Sequence, residues 1–323
     1  MNNQIQTHVR RLLQLSRPQL SVISPVGKII DGPMSAADLN RYVVERSDFA
    51  FEMEIYKVLH DLPYKCEHGG TYIDHVTQKA REFDIRAWTR DRYSWTYLAV
   101  ECKNLKDNSP LVVSCIPRRG FESYHDVMVT FPPEQWPQED VVAVINETTA
   151  VKIRLHKRAY PYPVGGLVGK SCAQVGKDKE NELQITGTEI YEKWSQALAS
   201  ARGLAEKAAT RYPDQPTVRY SVVIPMVVVP DGTLWAAEYS DTGALLKPPA
   251  ITDRVSYYIN HDISFEADFN WETYEISHIE FVTKKGLGEF AKNLAAEAGR
   301  EWYLPDDFID DEFEKLRRQA EAE

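Results

Sequence analysis

Three charged residues in two apolar runs carry the strongest chemical signal in this sequence. Asp84 lies in "REFDIRAW", and Glu101 and Lys103 lie in "LAVECK". A charge inside a buried strand costs free energy unless it has a partner or takes part in chemistry. The three residues therefore mark a candidate site.

Strand periodicity predicts that these side chains share a face. In "LAVECK", alternation puts Glu101 and Lys103 on one face of the strand and Cys102 on the other. "REFDIRAW" also alternates with a period of two, and a hairpin with the second run would bring Asp84 to the same face. Cys102 is then expected to be a buried apolar residue and not a nucleophile.

A pair of neighbouring carboxylates needs a compensating positive charge, because two such groups repel when both are ionised. A divalent cation removes the conflict, and oxygen ligands without His or Cys favour Mg²⁺ or Mn²⁺ over zinc. Such a cation lowers the pKa of a bound water and neutralises charge on a phosphoryl group. Lys103, two residues after Glu101, would stabilise developing negative charge. A divalent cation beside Asp84 and Glu101 would therefore make this carboxylate pair suitable for hydrolytic chemistry.

Each residue also has a simpler explanation. Asp84 could pair with Arg86 or Arg81 at the rim of the sheet. Glu101 and Lys103 could form a solvent-facing ion pair on an edge strand. Their [Asp/Glu]-x-Lys spacing occurs nowhere else in the chain, but about two or three such triplets are expected by chance from the composition, so the spacing by itself means little. The position of the triplet at the end of an apolar strand, after a strand that carries an Asp, favours the catalytic interpretation.

The surrounding sequence predicts the elements that would hold these residues. Residues 36–62 predict a helix that breaks near Ser47, and residues 188–209 predict a long helix with Thr188 as its N-cap. "YSVVIPMVVV", at 220–229, is typical of a strand buried on both faces. "TLWAAEY" follows it after the turn "PDG" and is expected to pair back on it. These elements predict an α/β fold.

Composition and charge narrow the class of protein. The chain has 323 residues, of which 43% are hydrophobic and 27% charged, as in ordinary globular proteins. It contains no apolar run long enough to span a bilayer, and its start does not resemble a signal peptide. The four cysteines lie far apart without a Cys-x-x-Cys pair, so the sequence indicates neither a zinc site nor a disulfide framework. We expect a cytoplasmic protein without a membrane partner.

The middle of the chain is locally basic in a protein whose net charge is −10. Residues 103–179 hold eleven Lys or Arg and eight Asp or Glu. A mixed solvated surface would explain this, but so would contact with a phosphate backbone. The residues expected to make that contact are Lys106, Arg118, Arg119 and Lys170.

The order of the elements resembles the PD-(D/E)xK, or restriction-endonuclease-like, nuclease superfamily. "FEMEIYKVL", "REFDIRAW" and "YLAVECKN" are followed by the helix "EIYEKWSQALASA" and the strand "SVVIPMVVV". This succession is similar to the family's helix, three strands, helix and further strand around a mixed sheet. The resemblance covers roughly residues 41–104 and 188–239. The family's Pro before its first Asp is absent, and Phe83 stands in its place.

The resemblance implies a role for each site residue. Asp84 and Glu101 would hold Mg²⁺ or Mn²⁺, and Lys103 would be the catalytic lysine. Glu52, by its spacing to Ile-x-x-x-Leu on the preceding helix, would support the site, with Glu54 as the competing choice. The implied activity is hydrolysis of phosphodiester bonds in nucleic acid, with DNA as the expected substrate, in restriction or anti-phage defence.

The expected architecture is α/β: a restriction-endonuclease-like mixed sheet flanked by helices, with a β-rich insertion and a C-terminal α/β extension. An N-terminal arm at 1–40 precedes a nuclease core at 41–240, which contains the insertion at 104–187, and the extension covers 241–323. Two other functions stay open: an inactive nucleic-acid-binding or scaffold protein that keeps the fold, and a nuclease switched on by a ligand or partner. A homo-oligomer or a partner from a defence system is compatible with each.

Overall fold

The computed structural model describes residues 32–45, 47–75, 77–90, 94–130, 148–153, 161–185, 189–210, 219–267 and 270–296. The chain divides into two units, Met1–Ser47 and Asp48–Glu323. In the first unit, helix α1 spans Ala36–Glu45. The predicted N-cap Thr188 and most of the predicted arm lie outside the described residues.

The described helices of the second unit are α2 (Phe49–His60), α3 (Glu189–Ala209) and α4 (Lys284–Ala295). The end of α1 and the start of α2 confirm the predicted break near Ser47. None of the described helices is both long and apolar enough to cross a membrane.

Most of the second unit consists of strands. In chain order they are β1 (Lys65–Ile73), β2 (Ala80–Arg90), β3 (Ser94–Cys102), β4 (Leu111–Pro117), β5 (His125–Thr130), β6 (Thr148–Ile153), β7 (Leu167–Lys177), β8 (Leu183–Ile185), β9 (Arg219–Val229), β10 (Leu234–Glu238), β11 (Ala250–Ile251), β12 (Arg254–Ala267) and β13 (Asn270–Thr283). Their order across the sheet is β1-β2-β3-β9-β13-β12-β7-β4-β10-β11, with β5 also beside β9, β6 beside β5, and β8 beside β7.

The sheet is mixed, which confirms the predicted α/β class at this level. β1, β2 and β3 are antiparallel to one another, whereas β9 is parallel to both β3 and β13. β9 is buried along its whole length, as its continuous apolar sequence predicts.

Helices on both faces explain the burial of β9. Ile224 and Val228 pack in one apolar cluster with residues of α2 and α4, among them Ile55 and Leu287. The alternate positions of β9 face α3, where Val223 packs in a cluster with buried alanines and Leu204 of α3. The sheet therefore has α2 and α4 on one face and α3 on the other.

The sheet neighbours of β10 differ from the prediction. "TLWAAEY" was expected to pair back on β9, and this is wrong: β10 pairs in parallel with β4 and in antiparallel fashion with β11. The physical reason is that β3 and β13 already occupy the two edges of β9 along its second half.

Strands from three sequence regions belong to one sheet. β4, β5 and β7 come from residues 104–187 and contribute to it. β12 and β13 come from residues 241–323 and lie between β9 and β7. The regions expected to be an insertion and an extension thus contribute strands to the same sheet as β1, β2 and β3.

Candidate functional site

The hairpin of β2 and β3 brings the two predicted carboxylates together. Ile85 pairs with Val100 in antiparallel register, so the next positions in the two strands are Asp84 and Glu101. Both side chains contact the same residue of α3, which shows that they share the sheet face covered by this helix. The predicted hairpin geometry is therefore present.

Lys193 of α3 lies between the two carboxylates. Its Nζ atom is 2.6 Å from Oδ2 of Asp84 and 3.3 Å from Oε2 of Glu101. The Glu101 side chain is fully buried, and those of Asp84 and Lys193 are 13% and 18% exposed. The lysine supplies the positive charge that two facing carboxylates require.

The carboxylate oxygens of Asp84 and Glu101 differ in their hydrogen bonds. Oδ2 of Asp84 also accepts a hydrogen bond of 2.7 Å from the backbone N–H of Cys102. Oε1 of Glu101 is buried and has no hydrogen-bond partner among the described residues. A buried acceptor without a donor costs free energy, so Oε1 marks where a proton or a cation would be stabilised.

Burial and mutual charge change the proton affinities at this site. Burial, followed by the nearby Asp84 carboxylate, raises the pKa of Glu101 to about 8. Burial alone would lower the pKa of Lys193, but the carboxylates of Asp84 and Glu101 outweigh it and raise that pKa. The lysine is therefore held as an ammonium, and Glu101 changes its charge near neutral pH.

Glu52 lies beside the site, and Glu54 does not. Burial, and then the Asp84 charge, raises the pKa of Glu52, whose Oε2 atom is 3.2 Å from Nε2 of His68 in β1. Glu54 is 56% exposed and pairs with Lys284 of α4 at 2.8 Å. Of the two helical glutamates weighed from the sequence, the structure places Glu52 within the electrostatic influence of Asp84.

Lys103 leaves the strand in a different direction from the one that alternation predicts. β3 ends at Cys102, and the backbone N–H of Lys103 donates to the carbonyl of Val228 in β9. Its Nζ atom lies 3.3 Å from Oδ2 of Asp48, the residue just before α2. α2 and α3 pack on opposite faces of the sheet, so this contact draws Lys103 towards the α2 face.

The neighbouring arginines have partners of their own. Arg86 donates from Nε to Oγ of Ser200 and from Nη2 to its carbonyl, at 3.0 and 3.2 Å. Arg81 pairs with Asp74 at 3.5 Å. The rim ion pairs considered for Asp84 are thus replaced by the contact with Lys193.

Cys102 is fully buried in the apolar cluster on the α2 face, as expected from its position opposite Glu101. Burial raises the pKa of its thiol well above the ordinary value. Thiolate formation is disfavoured there, which suits an apolar packing residue.

Lys193 is the site residue that the sequence analysis missed. It lies three residues after Ile190 and four before Ala197, both of which are buried. This spacing places it on the buried face of α3. The sequence did contain a signal for this residue, because a lysine on the buried face of a helix needs a partner for its charge.

The four predicted phosphate contacts fall into two pairs. Arg118 is 3% exposed and donates to the carbonyls of Pro163 and Leu167 and to Nε2 of His278. Lys170 pairs with Glu122 at 2.5 Å, and its ammonium lies 4.4 Å from the Tyr258 ring centroid. Both side chains therefore already have partners within the protein.

The other two predicted contacts, Lys106 and Arg119, are exposed. Lys106 lies a few residues beyond the end of β3, and Arg119 just beyond the end of β4. They are therefore the members of the set that a phosphate backbone could reach.

The carboxylates at this site meet only part of the requirements for binding a hard cation. Within the described ranges, no group of three or more His, Cys, Asp or Glu side chains is arranged to hold a metal ion. Mg²⁺, however, is often bound by one or two carboxylates together with water and substrate phosphate oxygens. Asp84 and Glu101, with the unpartnered Oε1 atom of Glu101, fit that smaller requirement.

Comparison with known proteins returned no matching family model, no matching curated protein and no matching solved structure.

Proposed function

We propose that this protein is a metal-dependent nuclease that hydrolyses phosphodiester bonds in nucleic acid, with DNA as the expected substrate. The observation that carries the proposal is the Asp84–Lys193–Glu101 contact, in which a buried carboxylate pair and a lysine meet at the end of a hairpin. A role in restriction or anti-phage defence rests on the family resemblance alone.

Asp84 and Glu101 are the residues that would hold Mg²⁺ or Mn²⁺. When bound, the cation would neutralise phosphate charge and promote ionisation of water. Glu101 offers Oε1, which has no donor among the described residues, and Asp84 offers the oxygen that is not engaged by Cys102. The Cys102 N–H and Lys193 fix the orientation of the Asp84 carboxylate.

Lys193 is the better placed of the two candidate lysines to act at the reacting phosphate. Its ammonium is already in contact with both carboxylates, so a phosphate brought to them would lie within its reach. There it would donate hydrogen bonds to phosphate oxygens as their negative charge grows. Lys103, whose ammonium contacts Asp48, would approach from the start of α2.

The second candidate function is a nucleic-acid-binding or scaffold protein without cleavage. The observation in its favour is that Lys193 by itself provides the counter-charge for Asp84 and Glu101. In that case the lysine is a structural partner, and a divalent cation does not stabilise the protein.

The deciding experiment incubates the protein with plasmid, linear duplex DNA, single-stranded DNA and RNA, each with Mg²⁺, Mn²⁺ or EDTA. We expect cleavage with either metal, none in EDTA, and none by Glu101→Gln. Glu206→Gln is the matched control, because Glu206 is 53% exposed and pairs along α3 with Arg202. Absence of cleavage together with unchanged thermal stability in Mn²⁺ would favour the scaffold.

A further inference from the structure

A cavity opens on the β1–β2–β3 part of the sheet, away from the carboxylates. Its volume is about 390 Å³ including the space open to solvent. Its lining residues are Pro63, Lys65, Trp88, Thr89, Arg90 and Trp95. Among the described residues, the lining thus combines two indole rings with two cations and contains no acidic side chain.

Additional cations surround the two tryptophans. The Lys207 ammonium lies 4.2 Å from the Trp88 ring centroid and 3.7 Å from Oε1 of Glu67. The guanidinium carbons of Arg90 and Arg219 lie 5.7 and 5.3 Å from the Trp95 centroid. Arg219 is buried and donates to main-chain carbonyls, whereas Arg90 is exposed. An aromatic surface with positive charge at its rim favours a ligand that is both planar and anionic.

The cavity and the carboxylate site are joined by the same strand and the same helix. Trp88 lies four residues after Asp84 in β2, about 13 Å at the usual rise of a strand. Because the two residues are an even number of positions apart in the strand, both side chains lie on the α3 face. There Lys193 contacts Asp84 and Lys207 contacts Trp88. Since α3 covers the sheet between them, a ligand reaching both places would pass around the helix or past the edge strand β1.

We propose that this cavity binds one unpaired nucleotide of the polynucleotide whose backbone is cleaved at Asp84 and Glu101. The base stacks on Trp88 or Trp95, and Lys65 and Arg90 contact the adjacent phosphates. The inference rests on the proposed function and narrows its substrate class to strands with unpaired bases, because a base within a duplex has no free face to stack.

The separation of about 13 Å is a lower limit on the length of strand between the two places, because α3 covers the sheet between them. It corresponds to about four nucleotides at the duplex rise, and to fewer in an extended single strand. The bound base would then belong to the same strand as the scissile phosphate, at least a few nucleotides away from it.

The test is binding of a short fluorescent single-stranded DNA, followed by anisotropy in EDTA so that no cleavage occurs. Trp88→Leu should weaken binding about tenfold, the usual effect of losing one base–aromatic stack. Arg90→Ala should weaken it severalfold and reduce its dependence on salt. The controls are Trp235→Leu in β10 and the exposed Lys292→Ala in α4, which should bind as wild type does.

Two further ligands test whether the cavity requires an unpaired base and the neighbouring phosphates. A blunt duplex of the same sequence should bind more weakly, and Trp88→Leu should not change its affinity. A free nucleoside monophosphate should compete poorly, because it lacks the neighbouring phosphates. Competition by the free nucleotide at the same concentration as the strand would overturn the polynucleotide assignment.

The outcomes separate this inference from the proposed function. Cleavage by wild type with unchanged single-strand binding in both Trp88→Leu and Arg90→Ala would overturn the subsite alone. Weakened binding in these variants without cleavage by wild type would overturn the nuclease and leave the subsite. If Trp88→Leu fails to fold, Arg90→Ala decides the question, because Arg90 is exposed and does not belong to the core.

Discussion

The Nζ atom of Lys193 lies 2.6 Å from Oδ2 of Asp84, across the interface between α3 and the β2–β3 hairpin. This contact makes the carboxylate pair tolerable without a metal, because an ammonium already offsets the repulsion between Asp84 and Glu101. It also provides a second lysine at a site where the sequence indicated only Lys103. The first two predictions separate these roles.

Lys193→Met should abolish cleavage, and Lys103→Met should reduce it less. The two lysines form a matched pair, because their side chains are 18% and 19% exposed and each contacts an aspartate. Lys193→Met leaves the Asp84 carboxylate without its ammonium partner, so the apo protein should lose about 3 kcal/mol. Thermal melts and cleavage rates of both variants measure this. Greater loss of cleavage in Lys103→Met, with metal binding intact, would return the catalytic role to Lys103.

Asp84→Asn should lower the stability of the apo protein by about 1–2 kcal/mol. If the two facing carboxylates had no counter-charge, removing one charge would make the protein more stable. With Lys193 between them, the change removes an ion pair, while the amide oxygen can still accept from the Cys102 N–H. Denaturant unfolding in EDTA measures the change, and Mn²⁺ should raise the Tm of wild type only. Equal stabilisation of both proteins by Mn²⁺ would rule out the metal site.

Stability and metal binding should have opposite pH dependences because of Glu101. Its pKa is raised from 4.5 to about 8 by burial and by Asp84, so the folded state binds more protons than the unfolded state between these values. The free energy of unfolding should therefore fall as pH rises from about 4.5 to about 8, and then level off. Mg²⁺ needs the ionised carboxylate, so its stabilising effect should grow over the upper part of this range.

The control for this pH dependence is Glu101→Gln, which cannot ionise at this position. Its unfolding free energy should lack the decline, and its Tm should not respond to Mg²⁺ at any pH. A decline of the same size in Glu101→Gln would assign the titration to another group.

Arg118 and Arg119 should behave differently although they are adjacent. Arg119→Ala should reduce the magnitude of the salt slope of nucleic-acid binding by about one, the effect expected when one phosphate contact is lost. Arg118→Ala should instead lower stability by about 3 kcal/mol, because it removes a buried guanidinium together with its hydrogen bonds to the carbonyls of Pro163 and Leu167. Salt titrations and urea melts distinguish the two, and an unchanged slope in Arg119→Ala would remove this loop from the binding surface.

Local patterns in the sequence predicted the helices and strands that surround the candidate site. α2, α3 and β9 follow from apolar periodicity, which depends only on neighbouring residues. The closeness of Asp84 and Glu101 was also predictable, since a short connection between two alternating strands fixes their register.

Strand order was not predictable in this way. β10 follows β9 after a tight turn, yet it pairs with β4, because β3 and β13 occupy the edges of β9. β13 reaches β9 from about forty residues further along the chain. Such pairings depend on competition among distant segments for the same edge, and this competition leaves no local pattern.

The sequence by itself therefore determined the two carboxylates and the hairpin that presents them. Only the tertiary structure decided that Lys193, from a helix about ninety residues later, faces both, and that Lys103 contacts Asp48. The physical reason is that alternation orients a side chain only as far as the strand extends, and β3 ends at Cys102. The partner of a buried charge is chosen by which helix packs over it, a long-range consequence of burying the apolar face of α3 against the sheet.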